Sequence, residues 1–165
     1  VKKKKKKKNY SIAFDAGSCT GYAVGERAVG KVGVTIVESG CIYTNSSALK
    51  GMSVNDKVDY LKQSIRDILV QHKPRTAYME MLYTFPIIRI VRGRKVVLSK
   101  QNQRYAIYWQ AVSGVLSEYG IPCEMIDTRR LAKKKLAQNY AKQKTGKSRM
   151  STHEAEAIVF LCWVL

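Results

Sequence analysis

The sequence predicts a layered domain of the α/β or α+β kind, built on a mixed sheet. Three apolar, β-branched segments precede residue 44, and strand-like and helix-like segments alternate after it. Size agrees: 165 residues at 45% hydrophobic content suit a single domain with a real core. No internal repeat or second domain is visible in the chain.

Tyr10–Phe14 reads as a strand, Gly17–Gly21 as a tight turn, and Gly21–Glu26 as a second strand. Val32–Tyr43, rich in Val, Ile and Thr, supplies a third, so the chain opens as an antiparallel meander. Ser46–Ser53 is a polar loop. Val54, Val58, Leu61, Ile65 and Leu69 recur at close to helical spacing, which predicts a helix over Val54–His72 that Lys73-Pro74 ends. Ala77–Leu82 is the next strand, and Val97–Tyr119 is a long helix closed by Gly120 and Pro122. Cys123–Asp127 reads as a short strand, Arg129–Ala141 as a basic helix and Lys142–Arg149 as a basic loop. Ser151–Leu165 is a last helix, opening with a capping-box pattern at Ser151 and Glu154.

The formal net charge is +18. Lys2–Lys8 supplies seven of those charges, so the rest of the chain keeps +11 and is itself basic. Such a chain suits a polyanionic partner, either nucleic acid or an anionic membrane. The longest clean apolar run, Ala157–Leu165, is far too short to span a bilayer, which favours nucleic acid. Lysines followed by a short strand do not make a secretory signal. Residues 1–9 read as a disordered basic arm adding nonspecific DNA affinity, a nuclear localisation signal being the weaker alternative. Cys19, Cys41, Cys123 and Cys162 are scattered and the chain has two histidines, which argues against zinc and for reduced thiols in an intracellular compartment.

The chain has 12 acidic residues, so their placement is informative. Asp56, Asp59 and Asp67 fall on the polar side of an amphipathic helix, but Asp15 and Glu80 sit in apolar strands. Asp15 follows Ile12-Ala13-Phe14, where an ionised carboxylate is costly unless neutralised. Bonding to the N–H groups of the following turn is one way to neutralise it. The other is a cation: if the two strands are neighbours, two close carboxylates need one, and Mg²⁺ prefers carboxylate oxygen. In STHEAEAIVFLCWVL, His153 and Glu156 are three apart on one helical face, and Ala155 and Ala157 allow close approach to a sheet. Acids in a first helical turn also suit the macrodipole, and capping alone accounts for Glu154. Asp127, ending CEMID, is a rival ligand, although Asp-Thr before a helix is ordinary N-cap chemistry.

Taken in order, these segments resemble the RuvC family of Holliday junction resolvases, in the ribonuclease H-like superfamily. FDAGSCTGYAV is similar to that family's first-strand motif, ESGCIYT looks like its third strand, TAYMEMLY like its glutamate-bearing strand, and HEAEA like its last-helix ligand pair. The resemblance covers Tyr10 to Leu165 and implies an α/β, ribonuclease H-like fold, a mixed five-stranded sheet flanked by helices. It implies that Asp15, Glu80, His153 and Glu156 are catalytic and hold two Mg²⁺ ions, with Mn²⁺ as a substitute, and that Asp15 bridges both. The family usually has Asp at both last-helix positions, so His153 and Glu156 depart from it. Tyr83 takes the place of an aromatic that stacks on junction bases, with packing at the strand end as the alternative. Arg104 matches a basic position on the family's long helix.

The activity so implied is structure-selective cleavage of four-way DNA junctions in recombination and repair. Paired symmetric cuts imply a homodimer, and a branch-migration partner stays unspecified. Tyr105, Tyr108, Trp109 and Val112 form one helical face that suits either the dimer interface or core packing. Lys133, Lys134, Lys135, Lys142, Lys144, Lys147 and Arg149 are read as lining the DNA path rather than as a merely solvated face. Arg89, Arg92, Arg94 and Lys95 read as a basic loop beyond Tyr83. The competing readings are a less selective fork or flap nuclease and a noncatalytic DNA-binding module. The module reading conflicts with carboxylates facing DNA. An actin-like ATPase needs two lobes, for which 165 residues are too few.

Overall fold

The computed structural model describes residues 9–27, 33–81, 88–91, 94–97, 99–127 and 134–165. The chain opens with strands β1 (Tyr10–Asp15), β2 (Cys19–Arg27) and β3 (Val34–Tyr43), then a 3-10 turn at Ser47–Leu49 and helix α1 (Val54–His72). Next come β4 (Thr76–Glu80), β5 (Ile88–Val91), β6 (Arg94–Val97) and α2 (Ser99–Glu118). The chain closes with β7 (Cys123–Ile126), α3 (Lys134–Thr145) and α4 (Thr152–Val164). The expected arm, Lys2–Lys8, and Tyr83, Arg92 and Lys133 lie outside the described residues.

Five strands make one sheet in the order β3-β2-β1-β4-β7. The opening meander is antiparallel, while β1–β4 and β4–β7 are parallel, which makes the sheet mixed as expected. Alternation along β1 sorts the two faces. Ile12 and Phe14 enter a core with Leu61, Ile65 and Leu69 of α1 and Val112 and Leu116 of α2. Ala13 turns the other way, into a second core with Ala155, Ala157 and Ile158 of α4. By the same period of two, Asp15 follows Ala13 onto the α4 face and Glu80 follows Tyr78.

Helix α1 begins at a full capping box between Ser53 and Asp56 and ends at Lys73, left-handed at φ 50, before Pro74. Its last residue, His72, meets Glu38 of β3 at 2.9 Å, and Glu38 also accepts from Tyr22 at 2.8 Å.

Three expectations are corrected here. The basic segment with Arg89, Arg94 and Lys95 is not a loop: β5 and β6 pair as an antiparallel hairpin, with Arg89 opposite Val96. Helix α3 runs on through Lys142 and Lys144, because nothing breaks it before Gly146, whose N–H caps the Lys142 carbonyl at φ +73. The four cysteines are not all thiols. Cys41 pairs with Gly21, two residues along from Cys19 on the neighbouring strand, and at a Cα separation of 6.3 Å the two cysteines form a disulfide. Cys123 and Cys162 stay free, and burial pushes the Cys123 thiol up to about 11.

Candidate active site

Asp15 ends β1 and Glu80 ends β4, and the parallel register, with Phe14 beside Met79, brings these two ends side by side. Strand spacing then sets the two backbones about 4.8 Å apart. Asp15 is 3% exposed. Its carboxylate meets Nδ1 of His153, and the N–H of Gly17 goes to Thr20 Oγ1 at 3.2 Å. The buried charge is therefore answered from α4, while Thr20 stabilises the turn.

Gly21 accounts for His153 being within reach. It lies opposite Asp15 on β2, and a Cβ there would stand 2.0 Å from the His153 carbonyl oxygen. The backbone of α4 rests directly on this glycine, and fully buried Ala155 and Ala157 extend the close fit. One helical turn on, Glu156 joins the same face. Ligand atoms of Asp15, His153 and Glu156 lie within 4.8 Å of one another, a set that among the described residues includes neither Glu80 nor Asp127.

Two carboxylates and one imidazole fit a divalent ion of the Mg²⁺ or Mn²⁺ class, since oxygen donors dominate and no thiolate takes part. Glu80 stands next to this set under a separate hold. Tyr105 donates its hydroxyl to Glu80 Oε2 at 2.8 Å, and Trp109 Nε1 donates to the Glu80 carbonyl at 2.9 Å. Burial first, then the charges of Glu80 and Asp15, push the Tyr105 hydroxyl far above its ordinary value, so it remains a donor. Glu156 adds to that shift, so the Tyr105 hydroxyl senses all three carboxylates.

The aromatic face on α2 serves the chain's own core and site. Val112 is fully buried, Tyr108 and Trp109 pack on the α1–α2 core, and Tyr105 binds Glu80. Tyr105, Tyr108 and Trp109 stay partly exposed in the single chain. Sequence reasoning missed Tyr105 as a partner of Glu80, because helical spacing says which side chains share a face and not what they touch. With Glu80 as a metal ligand, Tyr105→Phe should weaken Mn²⁺ binding about 10–100-fold, the usual cost of losing a ligand's supporting bond. Titration calorimetry would measure it, and unchanged affinity would make the bond idle.

Glu154 also departs from expectation. Ser151 Oγ accepts from the Glu154 N–H at 3.0 Å, but the Glu154 carboxylate does not return to complete a capping box. It is buried instead, 2.6 Å from Lys147 Nζ and 2.8 Å from Ser39 Oγ. Lys147 also donates to the Ser39 carbonyl at 2.7 Å, so its ammonium ties the loop before α4 to β3. Of the other basic residues assigned to DNA, Arg104 lies in α2, and Lys134 and Lys135 open α3.

No family model and no curated protein sequence matches the chain. Solved structures do. Thermus thermophilus RuvC in complex with a Holliday junction substrate matches at a TM-score of 0.70 and 15% identity, over 93% of this chain and 90% of that one. Another T. thermophilus RuvC structure matches at 0.66 and 14% identity, over 93% and 91%. This chain has the RuvC fold. The Fowlpox virus resolvase, solved with Holliday junction DNA, matches at 0.55 and 11% identity, over 94% of this chain and 99% of that one. The coverage is nearly complete on both sides, so the shared fold spans nearly the whole of each chain.

Proposed function

We propose that the chain is a metal-dependent, structure-selective endodeoxyribonuclease that resolves four-way DNA junctions. The carrying observation is buried Asp15 gathered with His153 and Glu156, beside Glu80 at the ends of parallel strands. A fold shared with two proteins solved on Holliday junctions supports the substrate class. A noncatalytic DNA-binding module would have no use for this arrangement, because carboxylates repel phosphate.

Two Mg²⁺ or Mn²⁺ ions held by Asp15, Glu80, His153 and Glu156 would supply an activated water and stabilise the leaving oxygen of a phosphodiester. The chain's own share is positioning. Gly21 lets α4 bring His153 to Asp15, and Tyr105 holds Glu80. Lys133, Lys134, Lys135, Lys147 and Arg104 belong to the DNA path in this reading, and Tyr83 stacks on a junction base. Two symmetric cuts call for a homodimer.

The test is Mg²⁺-dependent cutting of a synthetic four-way junction, with fork, flap and linear duplex as controls. Junction cutting with an intact duplex supports the proposal. Equal cutting of forks and flaps would make the chain a less selective branch nuclease, and no cutting would refute it. Deleting Lys2–Lys8 should weaken binding to every DNA and flatten its salt dependence, by about 0.9 in slope for each phosphate left without its lysine. Identical salt titrations for the full and shortened chains would show that the arm plays no part.

A further inference from the structure

A cavity of about 510 Å³ opens on the α1–α2 side of the β1–β2 turn and shares Tyr105 with the Glu80 carboxylate. Its lining includes Ser18, Asn45, Lys57, Tyr105, Ile107 and Tyr108. We propose that it is a nucleoside subsite, taking the base of a nucleotide next to the phosphate held at the carboxylates; the inference rests on the nuclease reading above.

The position supports this first. Tyr105 is a wall of the cavity and the hydrogen-bond partner of Glu80, and Ser18 lies three residues beyond Asp15. The cavity and the Glu80 carboxylate thus share one side chain, Tyr105. The lining chemistry supports it second. Tyr105, Tyr108 and Ile107 offer aromatic and aliphatic surfaces, which accept any base. Asn45 and Ser18 offer donors and acceptors for a base edge. Lys57 is the one ionic group among the described lining residues, so a phosphate-bearing ligand meets attraction there, in contrast to the carboxylates next door. The volume falls within the roughly 300–1,000 Å³ of small-molecule sites. A four-way junction offers bases at its centre that leave their stack at little cost, whereas linear duplex offers none.

The test is an abasic scan. Single abasic sites are placed at each position around the cut in a synthetic four-way junction, and cleavage by wild type, Ile107→Trp and Asn45→Ala is compared. Ile107 is 38% exposed and Asn45 sits on an exposed loop, so either change spares the core, and melting temperatures confirm it. For the wild type, one position next to the cut should be sensitive, losing about tenfold on base removal, the scale of one base stacked on aromatic rings. Ile107→Trp fills the cavity and should abolish that difference, cutting the intact and abasic junctions alike. Asn45→Ala should keep the sensitive position and relax which base is preferred there. A wild type that cuts the junction with no sensitive position, or an Ile107→Trp that keeps the full difference, overturns the subsite and leaves the nuclease reading standing. A wild type that cuts no junction overturns both.

Discussion

Asp15→Asn is expected to abolish cleavage while leaving junction binding unchanged. The substitution is nearly isosteric and an amide can still bond His153, so the 3% exposed site should keep its packing and the fold its melting temperature. What disappears is the charge. Asp15 is the most buried member of the gathered set, so its loss removes the carboxylate that water screens least. Metal assistance to such a reaction is worth several kcal/mol. At about 1.36 kcal/mol per factor of ten, that predicts a loss of roughly 10³-fold or more in single-turnover rate. In the proposed reading lysines and arginines carry DNA binding, and the change does not touch their number, so gel-shift affinity in Ca²⁺ should match the wild type. Turnover within a few-fold of the wild type would refute the assignment of metal ligands.

Gly21→Ala is expected to have the second-largest effect, although it removes no functional group. The new Cβ would lie 2.0 Å from the His153 carbonyl oxygen and 2.6 Å from the Glu154 N–H. Both are helix backbone atoms that no rotamer change can move aside, so α4 must shift by about 1 Å or more. Overpacking of this kind costs about 1–3 kcal/mol, and in a chain of this size 1 kcal/mol moves the melting temperature by roughly 2–4 °C. The effect on chemistry should be larger, because a displacement of about 1 Å at a catalytic constellation costs roughly 100-fold. Gly114→Ala is the control, since a Cβ there meets nothing within 4 Å and an exposed helical site gains from alanine. If Gly21→Ala cut junctions and bound Mn²⁺ as the Gly114→Ala control does, α4 would not be held by this contact.

Much of the fold was legible in the chain because its signals are local. The Val54–His72 helix has a five-residue apolar stripe and a proline stop, and the structure returns the same bounds. The opening meander and the acids within two apolar strands were legible for the same reason, although the sequence ran the second strand on to Leu82 and the structure ends it at Glu80. Asp15 and Glu80 stand out because burial of a charge is costly wherever it occurs. The basic hairpin was misread, since arginines and lysines mask a strand's apolar alternation. Lys147 was read by charge alone, and its partners Ser39 and Glu154 lie 108 and 7 residues away.

The sequence by itself determined the strand and helix order, the basic character, and which carboxylates had to find a cation or a partner. These follow from periodicity, composition and the desolvation cost of charge, which act within a few residues. Only the tertiary structure decided what stands beside each carboxylate. His153 reaches Asp15 across 138 residues because Gly21 leaves room for a helix backbone, and Tyr105 crosses from α2 to hold Glu80. Cys19 joined Cys41 for a related reason: strand register, not spacing in the chain, brings the two together. Contacts of this kind depend on the packing of whole elements at close range, and a change of one methyl group at Gly21 is enough to test them.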